Sequence, residues 1–283
     1  MSTTTEIKLW VGGMSPALRD YQIELVETSL ERTAKQYPPY HISYNHRPMS
    51  AERSKIETER GVNVHAHFAS EWLGQFVDSS KVTLINYPFM KDRLGLRKCI
   101  TLKKLLPRFQ ALKTGEAFKA LRIGQQRGWS DISTYTHHGM EVVESEDYQS
   151  LFAMLQRERY ECLPMSVLEI DRALNDQLKH YPDFTIVPNV YIFYPIPVYL
   201  SVSRFQPELA KRLTKGLGDM YEDGTVDALF KRHYNNTDIN LSNTAPRVFI
   251  LNNPLIPVDK NTKVINSFIT SRPHISAAIV NGN

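Results

Sequence analysis

The chain has 283 residues, 34 lysines and arginines against 30 aspartates and glutamates, a formal net charge of +4, and 42% hydrophobic residues. This is a globular composition, long enough for two domains of ordinary size, and the absence of any block of like charges excludes a nucleic-acid or membrane-surface footprint. The longest apolar stretch, residues 185–202, is cut by Pro188, Asn189, Pro195 and Pro197, whereas a spanning helix needs about twenty continuous apolar residues.

Residues 7–11 read as a short strand ending at Gly12-Gly13, with no leader pattern before it. Ser15-Pro16 opens a helix with a capping hydroxyl and a proline in its first turn. Residues 40–44 form a second strand after Pro38-Pro39, and residues 51–60 a charged helix stopped by Gly61. A third strand spans 62–68, with Val64 and Ala66 alternating against His65 and His67. Residues 82–89 and 95–102 read as two more.

After Leu105 the order restarts. Residues 121–124 form a strand, Gly128-Trp129-Ser130-Asp131 begins a helix, and Gly139 ends it. A strand at 141–143 precedes a helix for which Ser145 is the expected cap. A strand at 160–163 and a helix from Ser166 follow, then the proline-punctuated strands 184–193 and 199–202. Residues 205–234, FQPELAKRLTKGLGDMYEDGTVDALFKRHY, are two amphipathic helices. Pro207 is the first-turn proline, Gly224 the stop, and Thr225 the second cap. A strand at 247–251 comes last, and 254–283, rich in Asn, Pro, Ser and Thr, reads as a loosely packed extension. Cys99 and Cys162 both lie in apolar, strand-like contexts and read as small buried thiols rather than a bridge or a nucleophile.

Strand and helix alternate twice, the signature of α/β sheets. The economical architecture is two α/β lobes joined by two crossover strands. Lobe 1 takes residues 1–101 and 201–253, lobe 2 takes 102–200, and 254–283 is the C-terminal extension.

The helical pair at 205–234 resembles the closing helices of bacterial extracellular solute-binding proteins, the amino-acid-binding-like, family 3-like members of the type 2 periplasmic class. The strand GVNVHAHFAS, the turn IGQQRGWSD and the run ESEDYQSLFAMLQRERYECLP occur in that family's order, so the resemblance covers roughly residues 6–253. It implies a two-lobed type 2 periplasmic-binding-protein fold of two α/β sheets joined by two hinge strands, closing on a small solute at the carboxyl ends of strands. It further implies a periplasmic protein whose signal peptide has been removed; read literally, a chain without a leader is cytoplasmic.

Amino-acid binders of this class carry an arginine near the third strand and an aspartate at the end of the strand matching 160–165. Here those places read His67-Phe68-Ala69-Ser70 and Pro164-Met165-Ser166. With both charged anchors of a zwitterion missing, an ordinary α-amino acid is not the expected ligand. The candidate ligand-binding residues are Met14 after the first strand, His67 and Ser70 after the third, Arg97 at the crossover, Arg127 and Trp129 at the strand-to-helix turn, and Met165. The turn at 124–131 is the place where backbone N–H groups would receive an acidic ligand group; the competing reading makes Ser130 or Asp131 a cap and Trp129 core.

His65 and His67 share a strand face, but spacing fixes no third ligand, so no metal site is expected. No GxSxG elbow, HExxH or Cys–His pairing is present, and no catalytic residue or cofactor is assigned. The expectation is a monomeric, non-catalytic solute-binding protein that hands a small polar or acidic solute to an ABC-type permease. A sensing domain that signals to a membrane receptor or kinase is the alternative, and an enzyme on the same fold a third reading.

Overall fold

The computed structural model describes residues 4–69, 78–87, 89–91, 93–234, 241, 246–280 and 282. The chain forms two compact units, Met1–Met90 with Pro197–Asn236 and Lys91–Ile196 with Thr237–Asn283. Unit 1 opens with β1 (Thr5–Trp10), α1 (Pro16–Arg32), β2 (Tyr40–Asn45), α2 (Ala51–Arg60), β3 (Ala66–Ala69) and β4 (Val82–Ile85). Unit 2 follows with β5 (Leu96–Leu102), α3 (Leu106–Gln110), α4 (Gly115–Lys119), β6 (Ile123–Gln126), α5 (Asp131–His137) and β7 (Val142–Ser145). It continues with α6 (Tyr148–Gln156), β8 (Leu163–Ser166), α7 (Ile170–Gln177), β9 (Phe184–Ile186) and β10 (Val190–Phe193). Unit 1 resumes with β11 (Tyr199–Ser203), α8 (Pro207–Glu222) and α9 (Thr225–Tyr234). Unit 2 closes with β12 (Arg247–Ile250), α10 (Val258–Thr270) and β13 (Ser276–Ile279).

Local chemistry sets most element ends. Ser15 Oγ accepts from Leu18 N–H and Pro16 occupies the first turn of α1, while Gly61 ends α2 in the left-handed region at φ 65°. Two expected caps differ. Asp147, not Ser145, caps α6 by accepting from Ser150 N–H at 2.9 Å, and Asp223 accepts from Thr225 N–H at 3.0 Å at the start of α9. In each case a carboxylate accepts more strongly than the nearby hydroxyl.

The unit 1 sheet runs β2-β1-β3-β11-β4, with β1 parallel to β2 and β3 and with β11 antiparallel to both of its neighbours. The helices α8 and α9 pack beside α1. A Cβ at Gly216 would stand 2.4 Å from Ser29 O, so only glycine permits this approach of α8 to α1. Arg212, 3% exposed, then ties the two helices. It donates to Thr33 Oγ1 (3.0 Å), Pro38 O (2.9 Å) and Leu30 O (2.8 Å), and the rings of Tyr37 and Tyr40 stack on it. Leu30 belongs to the last turn of α1, where unpartnered carbonyls and the helix dipole favour a cation.

In unit 2 the order β13-β12-β10-β5-β8 forms one sheet, with β9 also on β5. The parallel pair β6-β7 joins through an isolated bridge between Ile123 and Cys162. Three expectations change here. The chain passes between the units at 90/91, 196/197 and 236/237, where two crossovers at 101/102 and 200/201 were expected; β5 is an interior strand of the unit 2 sheet. The last expected strand is β12, which pairs with β10 in unit 2 and not with lobe 1, and buries Val248, Phe249 and Ile250. Residues 254–283 are no loose extension, since Phe268 of α10 stacks on Phe193 at 3.7 Å and β13 extends the sheet beside β12.

The cysteines differ as well. The antiparallel pairing of β5 with β8 brings Cys99 and Cys162 to a Cα separation of 5.1 Å, and they form a disulfide. A bridge closing a loop of this length stabilises by about 4 kcal/mol on the chain-entropy account. Peptide mapping without reductant should recover the Cys99–Cys162 link, and thiol titration of the unfolded protein should find no free thiol; two free thiols would contradict the bridge. Arg212→Met should lower unfolding free energy in urea by about 2–4 kcal/mol, because it strands buried carbonyls as well as removing a charge. An unchanged midpoint would show that the clamp contributes nothing.

Candidate ligand-contact residues and the buried arginine of unit 2

Unit 1 contributes three of the residues anticipated from sequence. Met14 follows β1 and is half-buried just before the Ser15 cap. Ser70 lies outside the described residues. His67 is 1% exposed and lies under α2, so it is a core histidine and not a surface that a solute reaches. Thr58 Oγ1 donates to Ser54 O at 3.0 Å, so it accepts from His67 Nδ1–H at 2.7 Å, which leaves the lone pair on Nε2. Nε2 meets no hydrogen-bond partner among the described residues. Trp10 packs edge-on to the ring, and its own Nε1–H reaches Arg47 O at 2.9 Å, pinning the loop after β2 against the end of β1. His65, on the same strand approach, accepts from Lys8 N–H through Nδ1. Among the described residues no group of three or more His, Cys, Asp or Glu side chains is placed to hold a metal ion.

Unit 2 contributes the other four. Met165 of β8 is 1% exposed within the cluster of Leu151, Phe152, Leu163 and Phe184, which makes it core. Trp129 packs half-buried against the same cluster. Arg127 is exposed and pairs with Glu144 at 3.5 Å and with Glu146, so its charge is directed at the residues of β7 and beyond. Its backbone N–H donates to Ser145 O at 2.8 Å.

Arg97 is different. It is buried in β5, opposite Ser166 of β8. Nη2 donates to Asp131 Oδ1 at 2.8 Å and Nη1 to Glu169 Oε1 at 3.4 Å, with the Tyr194 ring 5.7 Å from its Cζ. Glu169 Oε1 also accepts from Ser166 N–H at 3.0 Å, and Asp131 Oδ1 from the Tyr194 hydroxyl, which lies 3.1 Å from that of Tyr135. Burial alone would weaken Arg97's hold on its proton, but Asp131, Tyr194 and Glu169 outweigh it and raise the affinity. Burial likewise pushes the Tyr194 hydroxyl well above its ordinary range.

Sequence reasoning did not select Asp131, Glu169, Tyr135 or Tyr194. Asp131 ends the GWSD turn and Glu169 is the first carboxylate after β8, but their common partner is visible only once β5 lies between β8 and β10. Asp131 is the first residue of α5, so a carboxylate already stands where the turn was expected to receive an acidic ligand group. The cluster holds charge and offers no activated nucleophile.

No family model and no curated protein matches the chain. Solved structures do. An arginine periplasmic binding protein from Legionella pneumophila shares 13% identity at a TM-score of 0.60, covering 82% of this chain and 100% of that one. A Salmonella typhimurium periplasmic binding protein with high arginine specificity shares 14% at 0.58, covering 82% and 100%. A structure concerned with glutathione import through a cystine ABC importer of Streptococcus mutans shares 14% at 0.56, covering 82% and 95%. These likenesses establish the α/β periplasmic-binding-protein fold.

Burial pushes His67 down to about 4. The unfolded chain therefore takes up a proton near pH 6.5 that the folded chain refuses until about pH 4, so the stabilisation is complete above 6.5 and fades as pH falls. Between pH 7 and pH 5 this one group should cost about 2 kcal/mol of unfolding free energy. Urea titrations of wild type and His67→Gln at the two pH values should differ by that amount; equal pH dependence would place His67 in contact with water.

Proposed function

We propose that the chain is a non-catalytic solute-binding protein that captures one small polar molecule. The observation that carries this reading is the fold, shared over 82% of the chain with periplasmic proteins described as binding arginine. Handing the solute to an ABC-type permease is the role that goes with such neighbours; presenting the ligand-bound form to a membrane sensor is the alternative. The disulfide supports an oxidising compartment such as the periplasm, where such bonds persist.

Free α-amino acids need a carboxylate for their ammonium group, and in unit 2 the first carboxylates after β6 and β8, Asp131 and Glu169, both serve Arg97, while Glu146 after β7 pairs with Arg127. Taking either for a ligand would leave Arg97's buried charge short of a partner, a loss of about 3–5 kcal/mol that a single ammonium contact does not recover. We therefore infer a solute without an α-ammonium group, such as a sugar or a blocked peptide. Met14, Arg127 and Trp129 remain the proposed contacts; Ser70 stays in the set on sequence grounds.

A thermal-shift screen over these classes and the amino acids tests both levels, since a ligand that binds the folded form alone raises Tm. At 100 times Kd the gain is about 2.7 kcal/mol. The expected outcome is a hit among non-amino acids that weakens in Trp129→Ala. A hit confined to free α-amino acids would overturn the solute class, and no hit in any class would count against the binding role.

A further inference from the structure

A second surface in unit 1 stands apart from these residues and does not depend on the solute reading. Strand β2 ends its sheet, and its residues are exposed or half-exposed along their whole length. Beside it lies a cavity of about 350 Å³ lined by Glu27, Glu31, Tyr40, His41, Ile42 and Tyr44.

The pairing with β1 determines what this edge offers. Thr5 N–H bonds Pro39 O at 2.8 Å and Val11 N–H bonds Asn45 O at 3.0 Å. In a parallel ladder with Ile7 opposite Ile42, the backbone groups of His41, Ser43 and Asn45 then face β1. Those of Tyr40, Ile42 and Tyr44 alternate with them and point off the sheet. The same three side chains lie on the face of the sheet that carries α1, where the Tyr44 hydroxyl meets Glu27. Glu27 and Glu31 are one helical turn apart, about 6 Å, close to the spacing of alternate side chains on an extended strand. Arg212, stacked on Tyr40, is committed to Leu30 O, Pro38 O and Thr33.

We propose that β2 and this cavity dock an extended, basic segment of a partner protein, added to the sheet as a further strand. Backbone bonds to Tyr40, Ile42 and Tyr44 hold the segment. Its lysine or arginine side chains, at alternate positions, enter the cavity against Glu27 and Glu31 and over the tyrosine rings. Charge complementarity selects the occupant: two carboxylates on an aromatic wall reject an acidic strand and accept a cationic one.

The probe is a fluorescent hexapeptide of alternating lysine and threonine, read by anisotropy against the whole protein. Controls are the same peptide with glutamate for lysine, and one N-methylated at alternate residues so that it keeps its charge but loses its strand-forming donors. Binding of the lysine peptide is expected, weakened about tenfold or more by N-methylation and by Glu27→Gln with Glu31→Gln. Because Glu27 also bonds Tyr44, Glu31→Gln alone serves as the second variant and should weaken binding without lowering Tm. No binding by wild type at millimolar peptide, equal binding of the N-methylated form, or indifference to Glu31→Gln would each overturn the proposal.

Discussion

The interaction on which unit 2 depends is the burial of one guanidinium. Arg97 lies in the strand by which the chain enters the unit, and its charge is held by Asp131 from α5 and Glu169 from the turn after β8, with Tyr194 from the end of β10 alongside. Three separate elements are thereby positioned around a side chain carried by a fourth, β5. Removing one member of such a set leaves an uncompensated buried charge, and that is why the two carboxylates are structural before they are anything else. The same fact underlies the proposed solute class, since Asp131 and Glu169 already serve Arg97.

Unit 1 handles its buried polar groups by another route. Arg212 is met by two carbonyls, a hydroxyl and two tyrosine rings, and closes the end of α1 against α8 where Gly216 meets Ser29. His67 is kept neutral by burial and by a single threonine partner. Neither group faces solvent, so both belong to the scaffold. At β2, by contrast, unit 1 presents an acidic and aromatic edge.

Much of the fold was legible where local chemistry decides it. The Ser15-Pro16 start, the Gly61 stop and the paired helices at 207–234 follow from caps and a 3.6-residue period, and each is present. Features set by sheet order were not legible. Cys99 and Cys162 bond because β5 pairs with β8, and no spacing of two cysteines 63 residues apart announces that. The C-terminal residues looked loose by composition, yet Phe268 and the β12–β13 pair place them in the unit 2 sheet. Among the site residues, His67 and Met165 shared the strand positions expected of ligand contacts; their burial depends on α2 and on the α6–α7 cluster, which alternation along a strand cannot reveal. Arg97 was chosen for its place at the crossover, and the two acids that neutralise it come from distant stretches of chain.

In a chain with a periplasmic-binding-protein fold, Asp131 and Glu169 of unit 2 are committed to Arg97. What we propose on that basis is stoichiometric, reversible binding of a small solute that is not a free α-amino acid. Native mass spectrometry of the protein isolated from its own cells tests that most directly. The predicted result is one small molecule per chain, released on denaturation with its mass unchanged after prolonged incubation and carrying no α-amino acid group. A bound α-amino acid, or a ligand recovered as a chemically altered product, would contradict it.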